Sequence, residues 1–286
     1  MEEQAKEKRA RNALDAFSLG RDASIVFMRD LISSRLALQE ATSPYLFVKR
    51  EVPIVASYCT YRDAAYLRSS FDSICMYVDA VMILDGRFLD FPELPEDDTV
   101  KIVQESASRF DPQYFKDNLQ ILQKFVYLDI EFGLGPMLEV EKRQFTFEYI
   151  PSGSYAFIID GDEVAIGDVK AGLDFVRNNE DIKIFWVWVE EEGNPGWKPR
   201  IIRVEPGLHY GENHWTILNL KNEIVTDSAF PTHTVSEHSL IRDFKIYNFG
   251  SKRAGKRGEA RIAYRETMRK RNWKEQEIVV ATSEEN

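Results

Sequence analysis

The chain has 286 residues and a mass of 33.2 kDa, a length that suits one large domain with appendages. Hydrophobic residues make up 44% and charged residues 29%, which excludes wholesale disorder. The longest unbroken aliphatic run, Ala80–Leu84, falls far short of the roughly 20 residues that cross a bilayer, and the net charge of −10 argues against a general nucleic-acid binder.

Residues 1–45 read as a helical N-terminal extension. A charged stretch from Met1 to Leu14 precedes Asp22–Gln39, where Ile25, Met28, Leu31, Ile32 and Leu36 share a helical face. Met1-Glu2-Glu3-Gln4 opens no apolar signal-peptide core, and Cys59 and Cys75 lack metal-ligand spacing. The expectation is a reduced, cytosolic protein without a disulfide or zinc scaffold. Pro44 and Pro53 then punctuate the chain.

From Val52 short β-rich runs alternate with helical stretches. Val52–Ser57 reads as a buried strand, and Asp63–Tyr77 as a helix with Ala64, Leu67, Phe71, Ile74 and Cys75 on one face. Ala80–Leu84 is a second buried strand, ending at Asp85-Gly86. A β-α-β unit of this length implies parallel strands and a right-handed crossover. Helices are expected at 112–124 and 136–147, a central strand over Ser154–Ile159 and a helix over Asp168–Asn178. Ile182–Val189 and Arg200–Val204 complete the strands. The pattern predicts one α/β domain over 46–250, with helices on both faces of a mostly parallel sheet, and a basic helix and tail over 251–286. Ligands of such sheets bind beyond the carboxyl ends of the strands, which points to Ser57, Asp85 and Asp160.

The most informative strand end is Asp160-Gly161-Asp162-Glu163. Carboxylates at i and i+2 can gather around one hard cation, Mg²⁺ or Mn²⁺, and magnesium commonly takes its remaining ligands from substrate phosphates. A plain Asp- and Gly-rich surface turn is the alternative reading.

Taken together, the strand ends resemble a known family. Ile54-Val55-Ala56-Ser57, Leu67-Arg68-Ser69-Ser70 and Ala80-Val81-Met82-Ile83-Leu84-Asp85-Gly86 resemble the nucleotide-binding half of family 2 nucleotide-sugar glycosyltransferases. Glu141-Lys142-Arg143-Gln144 is similar to that family's Lys-Arg-Asn element. Ser154-Tyr155-Ala156-Phe157-Ile158-Ile159-Asp160-Gly161-Asp162-Glu163 is similar to the strand that delivers its metal-binding Asp-x-Asp. Trp197–Arg203 and Tyr210-Gly211-Glu212-Asn213-His214 are similar to its Arg-Leu-Phe-Arg strand and later Gly-x-x-His. The order and spacing of these segments, over about residues 52–250, carry the resemblance.

The resemblance implies a GT-A-type fold and a sugar moved from a nucleoside diphosphate donor, UDP- or GDP-linked, to an acceptor hydroxyl with inversion. Asp85 would bind the base and ribose, with Ser57 and Asp63 nearby, and Lys142 or Arg143 would face the donor. Asp160 would touch ribose or metal-bound water, and Asp162 would ligate a divalent Mn²⁺ or Mg²⁺ ion, with His214 as a further ligand. Two positions depart from the family pattern: Trp215 follows His214 where the family often has Glu, and Asn248 stands where a late strand commonly ends in His. Glu212 is the first choice of catalytic base, with Glu190, Glu191, Glu192, His233 and His238 nearby in sequence.

Two other classes compete. A nucleotidyltransferase would show a Gly-rich phosphate loop after the first strand, and Ser57-Tyr58-Cys59-Thr60-Tyr61-Arg62 contains no glycine. A non-catalytic nucleotide-sugar binder would keep the fold and lose the base. Trp186, Trp188 and Trp197 read first as packing residues, with Trp197 as a sugar platform in second place. Between Gly250 and Lys274 ten Lys and Arg face two Glu, and Arg253, Arg257, Arg261, Arg265 and Arg269 recur every four residues. On a helix these form one stripe, read either as a solvated face packing on the acidic body or as a contact for an anionic partner, the donor diphosphate or a membrane bearing a lipid-linked acceptor.

Overall fold

The first β-α-β unit forms as Ile54–Thr60 (β1), Ala64–Ile74 (α1) and Ala80–Asp85 (β2). The strands run parallel, from Val55 opposite Ala80 to Thr60 opposite Asp85. Every residue of β1 is buried, so it carries apolar side chains on both faces and shows no alternation. It also runs three residues beyond Ser57, so the strand end expected at Ser57 lies at Thr60 instead. The computed structural model describes residues 52–89, 91–110, 125–129, 135–211, 216–227, 236–250, 258–260, 262–264 and 266. The helices expected in 1–45 and at 112–124, and Arg253, Arg257, Arg261, Arg265 and Arg269, lie outside the described residues.

The chain continues through Thr99–Phe110 (α2), Phe125–Asp129 (β3), Glu139–Tyr149 (α3), Tyr155–Asp160 (β4), Glu163–Gly167 (β5) and Val169–Asn178 (α4). Ile184–Glu190 (β6), Gly196–Arg203 (β7) and Leu240–Asn248 (β11) complete an eight-stranded sheet, in the order β3-β2-β1-β4-β7-β6-β11-β5. The fold is the expected mixed α/β one. Six of these strands, β1, β2, β3, β4, β6 and β11, point the same way, and β5 and β7 run against them.

Two apolar layers sandwich the sheet. On one face Ala56, Tyr58, Phe157, Ile159, Phe185 and Val187 pack with Leu67 and Phe71 of α1 and Leu173 and Val176 of α4. On the other, Val55, Met82, Ile158 and Ile202 pack with Phe145 and Tyr149 of α3 and with a small sheet of His209–Tyr210 (β8), Thr216–Leu218 (β9) and Ile224–Asp227 (β10). Fully burying each such side chain contributes about 1.5–3 kcal/mol. Helical residues 258–260 and 262–264 anchor on a third cluster, where Ala260 and Tyr264 pack with Cys59, Tyr61, Phe88 and Phe91.

Pro199 interrupts β7 without breaking the sheet. β4 pairs with β7 only as far as Phe157 opposite Ile201, so the strand has no ladder partner on that side at Pro199. Toward β6, Ile201 faces Phe185 and Pro199 faces Trp186, which leaves Arg200 as the extra residue of a bulge.

Candidate functional site

The six co-directional strands end at one edge of the sheet, in Thr60, Asp85, Asp129, Asp160, Glu190 and Asn248. Buried apolar strands that stop at polar residues give this edge its chemistry.

At the β2 end, each oxygen of the Asp85 carboxylate is engaged. Thr60 donates to Oδ1 at 3.1 Å and the Tyr127 hydroxyl to Oδ2 at 2.7 Å. Burial pushes the Asp85 carboxyl up from its ordinary range, against the pull of the Lys142 ammonium and these two hydrogen bonds. Lys142 is fully buried. Its Nζ donates to the carbonyls of Thr60 at 2.5 Å and Gly86 at 2.6 Å, and it sits 4.7 Å from the Phe88 ring centre. The ammonium thus ties the ends of β1 and β2 together from below. Expected, with Arg143 as the alternative, to face a donor, Lys142 binds the carbonyls at these two strand ends.

Arg143, one position on, does reach the edge. It donates to Asp160 Oδ1 at 2.8 Å and to Glu139 Oε1 at 3.0 Å. Asp160 is therefore oriented from α3. Ser57 is placed differently from the expectation: it is buried within β1, its hydroxyl 2.8 Å from Thr146 Oγ1 on α3. Tyr58, Cys59 and Thr60 extend the strand beyond it, so Ser57 belongs to the core beneath the site. Asp63 lies at the edge, where its Oδ2 accepts from the Tyr61 amide at 3.1 Å.

The Asp160–Glu163 turn joins β4 to β5 and is held on both sides. A Cβ added at Gly161 would stand 3.0 Å from Asp63 Cβ and 3.1 Å from Thr60 Cγ2, so the turn rests directly on the loop after β1. Gly161→Ala is expected to push the two loops apart, lowering stability by about 1–2 kcal/mol. Urea melts of parent and variant check this, and an unchanged midpoint would mean that the two loops yield to the added methyl group without cost.

Glu163, fully buried, ties the turn down from within. Its Oε2 accepts from the Asp160 amide at 3.0 Å, and its Oε1 accepts from Arg200 at 2.5 Å and from Asn248 Nδ2 at 3.0 Å. Burial raises this carboxyl to about 7, with Arg200 opposing the rise and Asp160 and Asp162 adding to it. Asn248, at the position that departs from the family pattern, thus bonds to Glu163, and its Oδ1 accepts from the Gly250 amide at 2.7 Å. Asp162 is buried, and its carbonyl accepts from the Phe249 amide at 2.9 Å.

Among the described residues, no three His, Cys, Asp or Glu side chains are placed to share an ion. Asp160 and Asp162 are the two carboxylates that would hold a hard divalent ion, with its other ligands drawn from phosphate and water. Glu212, His214 and His233 lie outside the described residues. Cys59 and Cys75 are buried thiols with no disulfide.

No protein-family model matches the chain, and no curated protein does. Among solved structures the chain is similar to S. aureus TarS. One crystal structure matches at 12% identity and a TM-score of 0.32, over 51% of this chain and 23% of that one. TarS 1-349 in complex with UDP matches at 13% and 0.32, over 50% and 37%. TarS 1-349 matches at 14% and 0.34, over 70% and 61%. This chain spans less than two thirds of the length of each of them.

Sequence reading missed Tyr127 and the bracing role of Glu163. The signal for Tyr127 was present: Phe125-Val126-Tyr127-Leu128-Asp129 is another apolar run ending in Asp, as in β2 and β4.

Proposed function

We propose that the chain is a metal-dependent glycosyltransferase, moving a sugar from a UDP- or GDP-linked donor to an acceptor hydroxyl. The observation that supports it most is the gathering of Asp85, Asp160 and the Asp162 turn at one sheet edge, with Gly161 packed on the loop that follows β1. Open α/β sheets bind nucleotides at such edges. Asp85, already positioned by Thr60 and Tyr127, receives the nucleoside. Asp160 and Asp162 would hold a Mn²⁺ or Mg²⁺ ion, whose charge stabilises the departing diphosphate. Arg143 keeps Asp160 turned toward the edge.

The acceptor oxygen attacks the anomeric carbon as the bond to the diphosphate breaks. The electron pair leaves with the nucleoside diphosphate, and the acceptor proton passes to a carboxylate base, for which Glu212 is the nearby substitute because Trp215 stands where the family often has Glu. One displacement of this kind inverts the anomeric centre. If the acceptor is lipid-linked, the basic stretch from Gly250 to Lys274 is the surface contact, each basic residue contributing about 1 kcal/mol near an anionic leaflet.

Calorimetry with UDP and GDP in Mn²⁺ and in EDTA tests this reading. Binding is expected in Mn²⁺ and should be strongly reduced in EDTA; equal affinity in both removes the metal from it, and no binding of either nucleotide overturns it. Asp85→Ala should weaken the free nucleotide as much as the sugar nucleotide. A selective effect on the sugar nucleotide would place Asp85 elsewhere than at the nucleoside.

A further inference from the structure

A pair of tryptophans lies on the other side of the aspartates from Asp85. Trp188 of β6 and Trp197 of β7 are cross-strand partners, with ring centres 5.6 Å apart in an edge-to-face arrangement. Both are half-buried, whereas Trp186 is buried. Trp188 Nε1 donates to Glu190 Oε2 at 3.2 Å, and Lys245 Nζ reaches the same oxygen at 3.3 Å. On the next turn Lys198 pairs with Glu191 at 2.9 Å.

Strand alternation fixes which face these rings occupy. Phe185, Val187 and Val189 belong to the layer packed by α1 and α4, so Trp186, Trp188 and Glu190 point to the opposite face. That is the face of α3, from which Arg143 holds Asp160. Position along the edge is fixed by strand order: β2, β1, β4, β7, β6. Neighbouring strands lie about 4.8 Å apart, so Asp85 stands two strands to one side of Asp160, and Trp197 and Trp188 stand one and two strands to the other. A sugar nucleotide with its base at Asp85 and its diphosphate at Asp160–Asp162 delivers its sugar toward the tryptophans.

We propose that Trp188, Trp197 and Glu190 form the acceptor subsite, and that the acceptor is a saccharide. The proposal rests on the glycosyltransferase reading and names the substrate class for its second half. An indole offers a flat apolar face, and a pyranose ring has an apolar C–H face bordered by hydroxyls. Glu190 beside the indole accepts from those hydroxyls. Its carboxyl is held below the usual range by the Trp188 hydrogen bond and by Lys245, so it is an acceptor at neutral pH. An acyl chain would make no use of this carboxylate or of the Lys198–Glu191 pair.

Saturation-transfer NMR on the full chain tests the subsite, with methyl glycosides of glucose, galactose, mannose and N-acetylglucosamine as probes. At least one glycoside is expected to receive saturation, with or without EDTA. Trp197→Ala should weaken its binding roughly three- to ten-fold, and Trp197→Phe, which keeps a ring, should restore much of it. No signal from any glycoside, or one unchanged in both Trp197→Ala and Trp188→Ala, would show that the pair only packs the two strands and would overturn the proposal. Quenching of the pair by vesicles of brominated phosphatidylcholine, with no glycoside signal, would also overturn it by placing an apolar chain there. UDP and GDP binding on the same samples keeps the two readings apart. Nucleotide binding without glycoside binding removes the subsite alone, and glycoside binding without nucleotide binding supports the subsite while removing the transferase reading.

Discussion

Asp162→Asn is expected to lower turnover by about two to three orders of magnitude while the protein stays folded. The substitution is nearly isosteric and removes one negative charge from the turn between β4 and β5. The backbone contact there, the Phe249 amide to the Asp162 carbonyl, does not involve the side chain, and Gly161 keeps its seat on Thr60 and Asp63. The near-isosteric side chain is expected to keep the turn folded. What is lost is half of the oxygen donor set that suits a divalent ion, and with it the charge that stabilises the leaving diphosphate. Steady-state kinetics against a panel of UDP- and GDP-sugars, alongside a thermal melt, measures both. Activity within about ten-fold of the parent, with an unchanged melt, would show that Asp162 carries no charge in the reaction. Asp160→Asn is a less direct test, because Asp160 also receives Arg143 at 2.8 Å and its loss disturbs α3 as well as the ion.

The parts of this edge that were legible in the sequence are those where an apolar run stops abruptly at a carboxylate. Ala80–Leu84 followed by Asp85 and Tyr155–Ile159 followed by Asp160 each read as a buried strand that ends at a carboxylate, and both strands do end there. Ser57 misled for the opposite reason. The next three residues, Tyr58, Cys59 and Thr60, mix polar and apolar groups, yet all are buried, their polar atoms satisfied inside: Tyr58 beside Ser70, Thr60 on Asp85. Helix α2 went unread because its buried face includes Thr99 and Ser106 beside Ile102 and Val103, which dilutes the apolar period. A lysine in a family-like motif reads as a residue facing the donor, but Lys142 gives two of its three N–H donors to carbonyls 56 and 82 residues away in sequence. Such pairings follow from the fold and leave no local trace.

The largest stability effect is expected at Glu163. Three donors converge on this one buried carboxylate, from Arg200, Asn248 and the Asp160 amide, and they tie β4, β5, β7 and β11 together beneath the turn. Glu163→Ala leaves Arg200 facing a void with its charge unpaired and should cost about 3–5 kcal/mol. Glu163→Gln is milder and more informative. Its one carbonyl oxygen can serve Arg200 and Asn248, but its amide then confronts the Asp160 N–H, donor against donor. The pH dependence follows from burial, which lifts the Glu163 carboxyl from an ordinary 4.5 to about 7 in the folded protein. Over that window the folded state holds a proton that the unfolded chain has released, so the stability contributed by the protonated group is complete below 4.5 and is lost as the pH rises through 7. The amide introduced by Glu163→Gln does not titrate, so the difference in unfolding free energy between parent and variant should shrink as the pH rises from 4.5 to 7 and level off above it. Urea melts of both proteins across that range measure the difference directly. A difference that grows with pH would mean that the Arg200 ion pair outweighs desolvation and holds the carboxylate charged throughout. The turn carrying Asp160 and Asp162 would then be fixed by an ion pair throughout that pH range.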